Sequence, residues 1–82
     1  MNFTISYTPQ AAEELLTLPV KVQRQISNKI ERLQAGFTGD IKKLNANDNI
    51  YRLRSGNYRI LFELDGSALV ILTIRDRKEA YE

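Results

Sequence analysis

The chain has 82 residues, of which 43% are apolar, and a net charge of +2, which fits one small folded domain with a thin core. Cysteine is absent, which excludes disulfides and thiolate metal sites. Histidine is absent as well, which argues against a zinc enzyme and against a Ser-His-Asp or Cys-His hydrolase. Any catalysis is therefore expected to depend on arginine, lysine, tyrosine or carboxylate side chains, with no metal and no other cofactor.

The chain shows neither a targeting segment nor an internal boundary. Its first residues lack the basic start and apolar run of a signal peptide. No apolar run approaches the roughly 20 residues that a membrane-spanning helix needs. We therefore expect one domain over residues 1–82, soluble and cytoplasmic, without a membrane partner.

The first half of the chain predicts a strand followed by a helix. Residues 3–7 alternate between apolar and polar side chains, which is typical of a half-buried strand. Thr8 suits the N-cap and Pro9 the first position of a helix that runs to about Leu18. The apolar residues on the predicted buried side of this helix are Ala12, Leu15, Leu16 and Leu18.

A second helix is predicted to begin at Pro19, which breaks the first one. Its apolar residues recur every three or four positions, as a helix with one buried side requires. These residues are Val22, Ile26, Ile30 and Leu33. Two short helices joined in this way form a hairpin that needs a flat apolar surface to be stable.

The second half of the chain supplies that surface. Residues 37–49 are rich in glycine, asparagine and aspartate and are predicted to form a loop. Three strands follow at 50–54, 58–65 and 68–74, separated by turns at Ser55-Gly56-Asn57 and Gly66-Ser67. The last strand is so apolar that we expect it to be central and buried on both faces.

The predicted order is strand, helix, helix and then three strands. This order indicates an α+β domain in which a helical hairpin packs on one face of a small, mostly antiparallel four-stranded sheet. The first strand is expected to join this sheet, although the sequence does not indicate its neighbour.

Residues 42–59 carry five cations and only one anion. Because side chains alternate along a strand, Arg52 and Arg54 share one face of the strand at 50–54. In the strand at 58–65, Arg59 lies on the face away from that strand's alternating apolar residues. If the apolar residues meet the helices, these arginines gather on the open face. Like charges that face each other across strands are destabilising, so the cluster indicates an anionic partner, either a phosphate or an acidic protein. The alternative is a solvated face whose arginines pair with Glu63 or Asp65.

Five short segments along the chain form a recognisable series. They are Pro-Gln-Ala-Ala at 9–12, Leu-Pro at 18–19, Lys-Lys-Leu at 42–44, Tyr-Arg-Leu-Arg-Ser-Gly-Asn-Tyr-Arg-Ile at 51–60, and Ile-Arg-Asp-Arg-Lys-Glu-Ala-Tyr at 74–81. Together they resemble the RelE/ParE toxin superfamily. Their order and spacing cover the chain from end to end, and the predicted order of elements is that of this superfamily.

The resemblance implies a toxin from a type II toxin–antitoxin system. RelE-type members enter the ribosomal A site and cut the mRNA codon there, whereas ParE-type members poison DNA gyrase. A cognate antitoxin silences both types. The expected partners are therefore an antitoxin protein together with the 70S ribosome and its mRNA. A gyrase poison, or a toxin-like interaction module without activity, remains an alternative.

The resemblance also implies which residues act. It assigns the catalytic roles of the RelE type to Arg52, Arg59, Arg75 and Tyr81. Further cations are expected to contact the RNA backbone, namely Lys42, Lys43, Arg54 and Arg77. Tyr51 and Tyr58 are interpreted as aromatic residues at the edge of the core.

Two positions depart from the family pattern. Ile50 stands where RelE has a second strand lysine, and Asp76 stands where many relatives have histidine. The expected reaction is attack of the RNA 2′-OH on the adjacent phosphate, without a metal. Arg59 and Arg75 are expected to stabilise the developing charge, Arg52 to bind the nucleophile, and Tyr81 to stack on a base.

Overall fold

The computed structural model describes residues 2–37, 40–44 and 49–76. Its elements are β1 (Thr4–Tyr7), α1 (Pro9–Leu16), α2 (Val20–Arg32), β2 (Ile41–Lys43), β3 (Ile50–Ser55), β4 (Tyr58–Asp65) and β5 (Ala68–Asp76). The strands form one sheet in the order β1-β5-β4-β3-β2. β1 runs parallel to β5, whereas the other neighbouring strands are antiparallel. The α+β class and the mostly antiparallel sheet are therefore confirmed.

The sheet has five strands, so the prediction of four was wrong. The additional strand, β2, lies within the segment predicted as a loop and places Ile41 opposite Leu53 of β3. It escaped prediction because it is three residues long and contains one apolar residue, which is too short for an alternating pattern to be recognised.

The predicted start of α1 is confirmed, but its predicted buried side is confirmed only in part, because Leu15 and Leu18 pack against the core whereas Leu16 does not. Thr8 is the N-cap, and its hydroxyl accepts a hydrogen bond of 3.1 Å from the Ala11 N–H. Ala11 is fully buried, whereas Leu16 is 73% exposed. Five residues along an α-helix correspond to a rotation of about 140°, so a helix that docks through Ala11 turns Leu16 away from the sheet.

The second helix packs as its period predicts. Ile26, Ile30 and Leu33 are fully buried, and Val22 is half-buried against them. They meet the core side of β3, β4 and β5, which carries Leu53, Ile60, Phe62, Leu69, Ile71 and Ile74. Neither helix in the described ranges is both long and apolar enough to cross a bilayer.

A β-bulge in β5 changes which residues face the helices. Phe62 of β4 lies opposite Ile71, but the preceding Leu61 lies opposite Thr73, so Leu72 is an extra residue in β5. Before the bulge Ile71 faces the core, and after it Ile74 does, at 4% exposure. Arg75 consequently points to the open face. The expectation that this strand is buried on both faces was wrong, since Val70 is only half-buried.

Thr8 holds the bulge in place. Its N–H donates to the Ile71 carbonyl at 3.0 Å, and its hydroxyl donates to the Leu72 carbonyl at 2.9 Å. The preceding Tyr7, the last residue of β1, packs against the core, and burial, with a smaller effect of the Glu31 carboxylate, raises the pKa of its phenol. The junction of β1 and α1 therefore joins the helical hairpin to the middle of β5.

Candidate nucleic-acid interface

Three arginines lie at the same level on three neighbouring strands. Arg54 of β3 is directly opposite Arg59 of β4, and Arg59 is directly opposite Arg75 of β5. We call these three residues the arginine row. Since neighbouring strands are about 4.8 Å apart, the row crosses about 10 Å of the open face. The two-residue turn at Gly56-Asn57, with Gly56 at φ 59°, brings its first two members together.

A second level of the same face adds two cations. Lys42 of β2 lies opposite Arg52, and Arg52 lies opposite Leu61 of β4. Arg52 and Arg54 are two residues apart on β3 and therefore point the same way. We use the term basic face for the five cations that the described residues place on this side of the sheet, which are Lys42, Arg52, Arg54, Arg59 and Arg75.

Lys43 does not belong to the basic face. It lies opposite Tyr51, on the side of the sheet that carries the helices, and its Nζ is 5.9 Å from the centre of the Tyr51 ring. This distance fits a cation–π contact. Tyr51 itself stacks on Phe62 at 5.5 Å, and Tyr58 packs against the core. The interpretation of both tyrosines as aromatics at the core edge is confirmed.

The carboxylate of Asp40 lies beside the two arginines of β3. Its Oδ1 is 3.3 Å from Arg52 Nη2, and its Oδ2 is 3.6 Å from Arg54 Nε. Strong charge-assisted hydrogen bonds are about 2.7–2.9 Å long, so these are loose ion pairs. The alternative pairing predicted for the open face named Glu63 and Asp65, whereas the carboxylate beside Arg52 and Arg54 is that of Asp40.

Arg52 is the most enclosed of these paired cations, with 13% of its side chain exposed. None of the described residues accepts a hydrogen bond from its buried Nε atom. Buried donors in proteins are normally satisfied, and a guanidinium group donates up to five hydrogen bonds. Arg52 therefore has one donor that its pairing with Asp40 leaves unsatisfied.

A second carboxylate lies at the other end of the arginine row. Oε2 of Glu14, on α1, is 3.6 Å from Arg75 Nε, and the Thr73 hydroxyl is 3.3 Å from the same atom. Glu14 and Asp40 were both missed in the sequence analysis. Neither belongs to a motif, and each meets its arginine only after the chain has folded, so no local pattern reveals them.

The basic face is chemically suited to phosphate groups. Guanidinium groups donate pairs of hydrogen bonds that match the oxygens of a phosphate, and a row of them can contact one phosphate from several sides. A separate cleft of about 240 Å³ lies on the helix side, lined by Glu14, Thr17, Leu18, Tyr58, Ile74 and Asp76. Its two carboxylates disfavour an anion there. In the described segments, no cluster of three or more acidic residues is arranged to hold a metal.

The model of one protein family covers almost the whole chain. The family described as the ParE toxin of the type II toxin–antitoxin system, parDE, matches residues 5–81. The chain belongs to the RelE/ParE family of toxins. The family prediction made from the sequence is thereby confirmed, and the described fold is the scaffold on which this toxin carries its basic face.

Individual relatives of the toxin agree with this assignment. Toxin RelE3 of Methanocaldococcus jannaschii is 32% identical over an aligned length of 75 residues, and the match covers 85% of each chain. The RelB–RelE antitoxin–toxin complex from Methanococcus jannaschii contains a chain with 29% identity and a TM-score of 0.78, covering 92% of this chain and 93% of that one. An archaeal RelE–RelB complex from Pyrococcus horikoshii has the same fold, with a TM-score of 0.82 at 24% identity over 94% of this chain and 97% of that one.

The fold gathers most of the predicted site residues of the toxin. Arg52, Arg59 and Arg75, to which the resemblance assigned catalysis, share the basic face with Lys42 and Arg54. Lys43 lies on the other side of the sheet. The predicted roles of Arg77 and Tyr81 concern positions outside the described residues.

Replacing Asp40 tests whether it competes with an anionic ligand. Asp40→Asn removes the negative charge beside Arg52 and Arg54 but keeps the backbone carbonyl to which the Arg54 N–H donates at 3.0 Å. Exposed ion pairs contribute about 0.2–1 kcal/mol, so we expect roughly two- to fivefold tighter binding of a short single-stranded RNA at low salt. Fluorescence anisotropy measures this affinity.

The matched control for this variant is Asp65→Asn, which makes the same charge change at the exposed far end of β4. We expect a smaller effect there. Equal tightening in both variants would mean that Asp40 acts only through net charge and does not compete for the arginines.

Proposed function

We propose that this RelE/ParE-family toxin is a ribosome-dependent endoribonuclease that cuts mRNA in the A site and thereby inhibits translation. The observation that carries the proposal is the arginine row, in which Arg59 has an arginine directly opposite it on each side. Like charges aligned across strands destabilise a sheet unless a bound anion offsets their repulsion. An RNA phosphate, which gains negative charge in its transition state, is such an anion.

RNA provides its own nucleophile for this reaction. The 2′-oxygen forms a bond to the adjacent phosphorus, and the bond from phosphorus to the 5′-oxygen breaks. The products are a 2′,3′-cyclic phosphate and a free 5′-hydroxyl. One proton leaves the 2′-OH and one joins the 5′-oxygen, so the reaction needs no metal and no covalent intermediate on the protein.

The arginines act through charge and hydrogen bonds. Arg59 and Arg75 donate to the non-bridging oxygens, where negative charge grows in the transition state. Arg52 binds the attacking 2′-oxygen and lowers the pKa of its hydroxyl, because a nearby cation favours the ionised form. Arginine stays protonated in proteins, so none of these residues is a general base and the proton passes to water. Tyr81 stacks on a base beside the scissile bond.

The open shape of the basic face supports a proposed requirement for the ribosome. The arginines stand on an open sheet surface, and the side chains of Arg54 and Arg75 are 41% and 45% exposed. A surface of this kind contacts a backbone but does not bend a free strand into the geometry that in-line attack requires. The A site presents one codon in a fixed conformation, and this positioning contributes to the rate. Lys42 and Arg54 contact neighbouring phosphates.

The first test of the proposal is primer extension on mRNA from cells that briefly express the chain. We expect cuts inside translated codons. Arg59→Ala removes the centre of the arginine row and should reduce cleavage about 10²- to 10³-fold, as the loss of one donor to a developing anion does in other enzymes. Arg24→Ala, which removes an exposed arginine of α2, should leave the cuts unchanged.

A gyrase poison is the second candidate, because the matching family model is that of the ParE toxin. The cells that express the chain also distinguish a gyrase poison from a ribonuclease. Growth arrest without cuts, accompanied by loss of supercoiling activity in a gyrase assay, would contradict the proposal and favour the ParE type. Absence of arrest would indicate a toxin-like module without activity.

A cognate antitoxin is the second proposed partner. In the solved relative from Methanococcus jannaschii the toxin is bound to its antitoxin. The five cations of the basic face would attract an acidic, amphipathic segment, which would bind the arginines and exclude RNA from the same surface.

Charge reversal tests this location of the antitoxin. In the double variant Arg52→Glu, Arg59→Glu, binding to the antitoxin should fall at least about 100-fold, because like charges across an interface cost several kcal/mol. The control is Lys21→Glu, Arg24→Glu, which reverses two exposed charges on α2. Calorimetry on the purified proteins measures both. Unchanged binding in the first variant would place the antitoxin elsewhere.

A further inference from the structure

We propose that Glu14 and Thr73 are positioning residues that orient Arg75 for phosphate binding in the arginine row. The inference rests on the proposed function and adds to it two residues from outside the basic residues of the RelE-type site. Both residues lie beside Arg75, one on α1 and one on β5, two positions before it.

Glu14 reaches β5 at the point where the strand loses its neighbour. β1 ends at Tyr7, opposite Ile71, so the Ile74 N–H has no strand beside it on that edge. Oε1 of Glu14 accepts a hydrogen bond of 3.0 Å from this N–H and one of 2.6 Å from the Thr73 hydroxyl. Its other oxygen is 3.6 Å from Arg75 Nε. One carboxylate therefore binds three consecutive residues of β5.

The Thr73 hydroxyl has a complete set of hydrogen bonds. It donates to Glu14 and accepts from Gln10 Nε2 and from Arg75 Nε, each at 3.3 Å. A hydroxyl offers one donor and two acceptor sites, and all three are used here. Gln10 and Glu14, one turn apart on α1, thus orient the Thr73 hydroxyl, to which Arg75 Nε donates.

Both contacts to Arg75 involve its Nε atom. A guanidinium held at Nε still presents its two Nη groups as a pair, which is the arrangement that binds two phosphate oxygens. Arg75 is 45% exposed and would otherwise sample many rotamers. Fixing its orientation before the substrate arrives places charge where the transition state needs it, without reorganisation during the reaction.

A merely structural role is the alternative, since Glu14 also caps the free edge of β5. The two roles differ in whether the effect requires Arg75. If Glu14 acts through Arg75, its replacement should do nothing further once Arg75 is gone. If it only stabilises the strand, its replacement should reduce activity with or without Arg75.

The test is a kinetic double-mutant cycle with the full chain on ribosomes that carry a defined codon. Glu14→Gln keeps an oxygen acceptor for β5 but removes the charge. We expect kcat to fall about 10- to 100-fold, as misplacement of a catalytic group by about 1 Å does, with KM changed less than about threefold. In the Arg75→Ala background the same replacement should leave kcat unchanged. A further loss there would overturn the inference.

Two replacements of Thr73 test whether its hydroxyl is needed and whether a serine hydroxyl restores activity. Thr73→Val removes the hydroxyl at nearly constant shape and should reduce kcat as Glu14→Gln does, whereas Thr73→Ser should restore activity to within about threefold. Full activity of Thr73→Val would overturn the role of the hydroxyl.

A readout without RNA separates this inference from the proposed function. In the nuclear magnetic resonance spectrum, the Arg75 Nε–H should exchange slowly with water and should exchange faster in Glu14→Gln and Thr73→Val. If the unaltered chain cut no mRNA, the proposed function would fail, while protection of this N–H would still support the positioning. Fast exchange in the unaltered chain would overturn the positioning itself.

Discussion

The bulge at Leu72 is the constraint on which the site depends. A strand without it would continue its alternation from Ile71 and turn Thr73 and Arg75 toward the helices. With it, Ile74 enters the core and Arg75 joins Arg59 and Arg54 on the open face. The bulge is itself supported by Thr8, which bonds to the carbonyls of Ile71 and Leu72. The same residue is the N-cap of α1, so one threonine couples the helical hairpin to the geometry of the basic face.

The charges of the basic face oppose the stability of the sheet that carries them. Directly opposed arginines repel one another across β3, β4 and β5. The described structure offsets this repulsion with a carboxylate at each end of the arginine row, and the two differ in character. Asp40 is 52% exposed and loosely paired, which suits a group that an incoming phosphate replaces. Glu14 is 26% exposed and hydrogen-bonded to the β5 backbone, which suits a group that stays in place and orients Arg75.

Much of the fold and part of the site can be predicted from the sequence, for reasons that differ between elements. Apolar and polar residues alternate clearly along β3 and β4, so the face shared by Arg52, Arg54 and Arg59 follows from this alternation alone. The first five residues of β5, Ala68 to Leu72, are all apolar, so neither their alternation nor the bulge can be recognised in the sequence, and the face of Arg75 is visible only in the fold. Asp40 and Glu14 meet their arginines through tertiary packing, which no local pattern encodes. The family itself was accessible because its motifs extend along the whole chain.

The most direct test of the proposed chemistry uses purified 70S ribosomes programmed with a short mRNA, in two forms that differ by one atom. One mRNA is all-ribose, and the other has a single 2′-deoxy nucleotide on the 5′ side of the bond that is cut. The account predicts cleavage of the first within the A-site codon, with a 2′,3′-cyclic phosphate at the new end, and no cleavage of the second at that bond. Equal cleavage of both would contradict attack by the 2′-OH, and cleavage of neither would contradict the proposed ribonuclease activity.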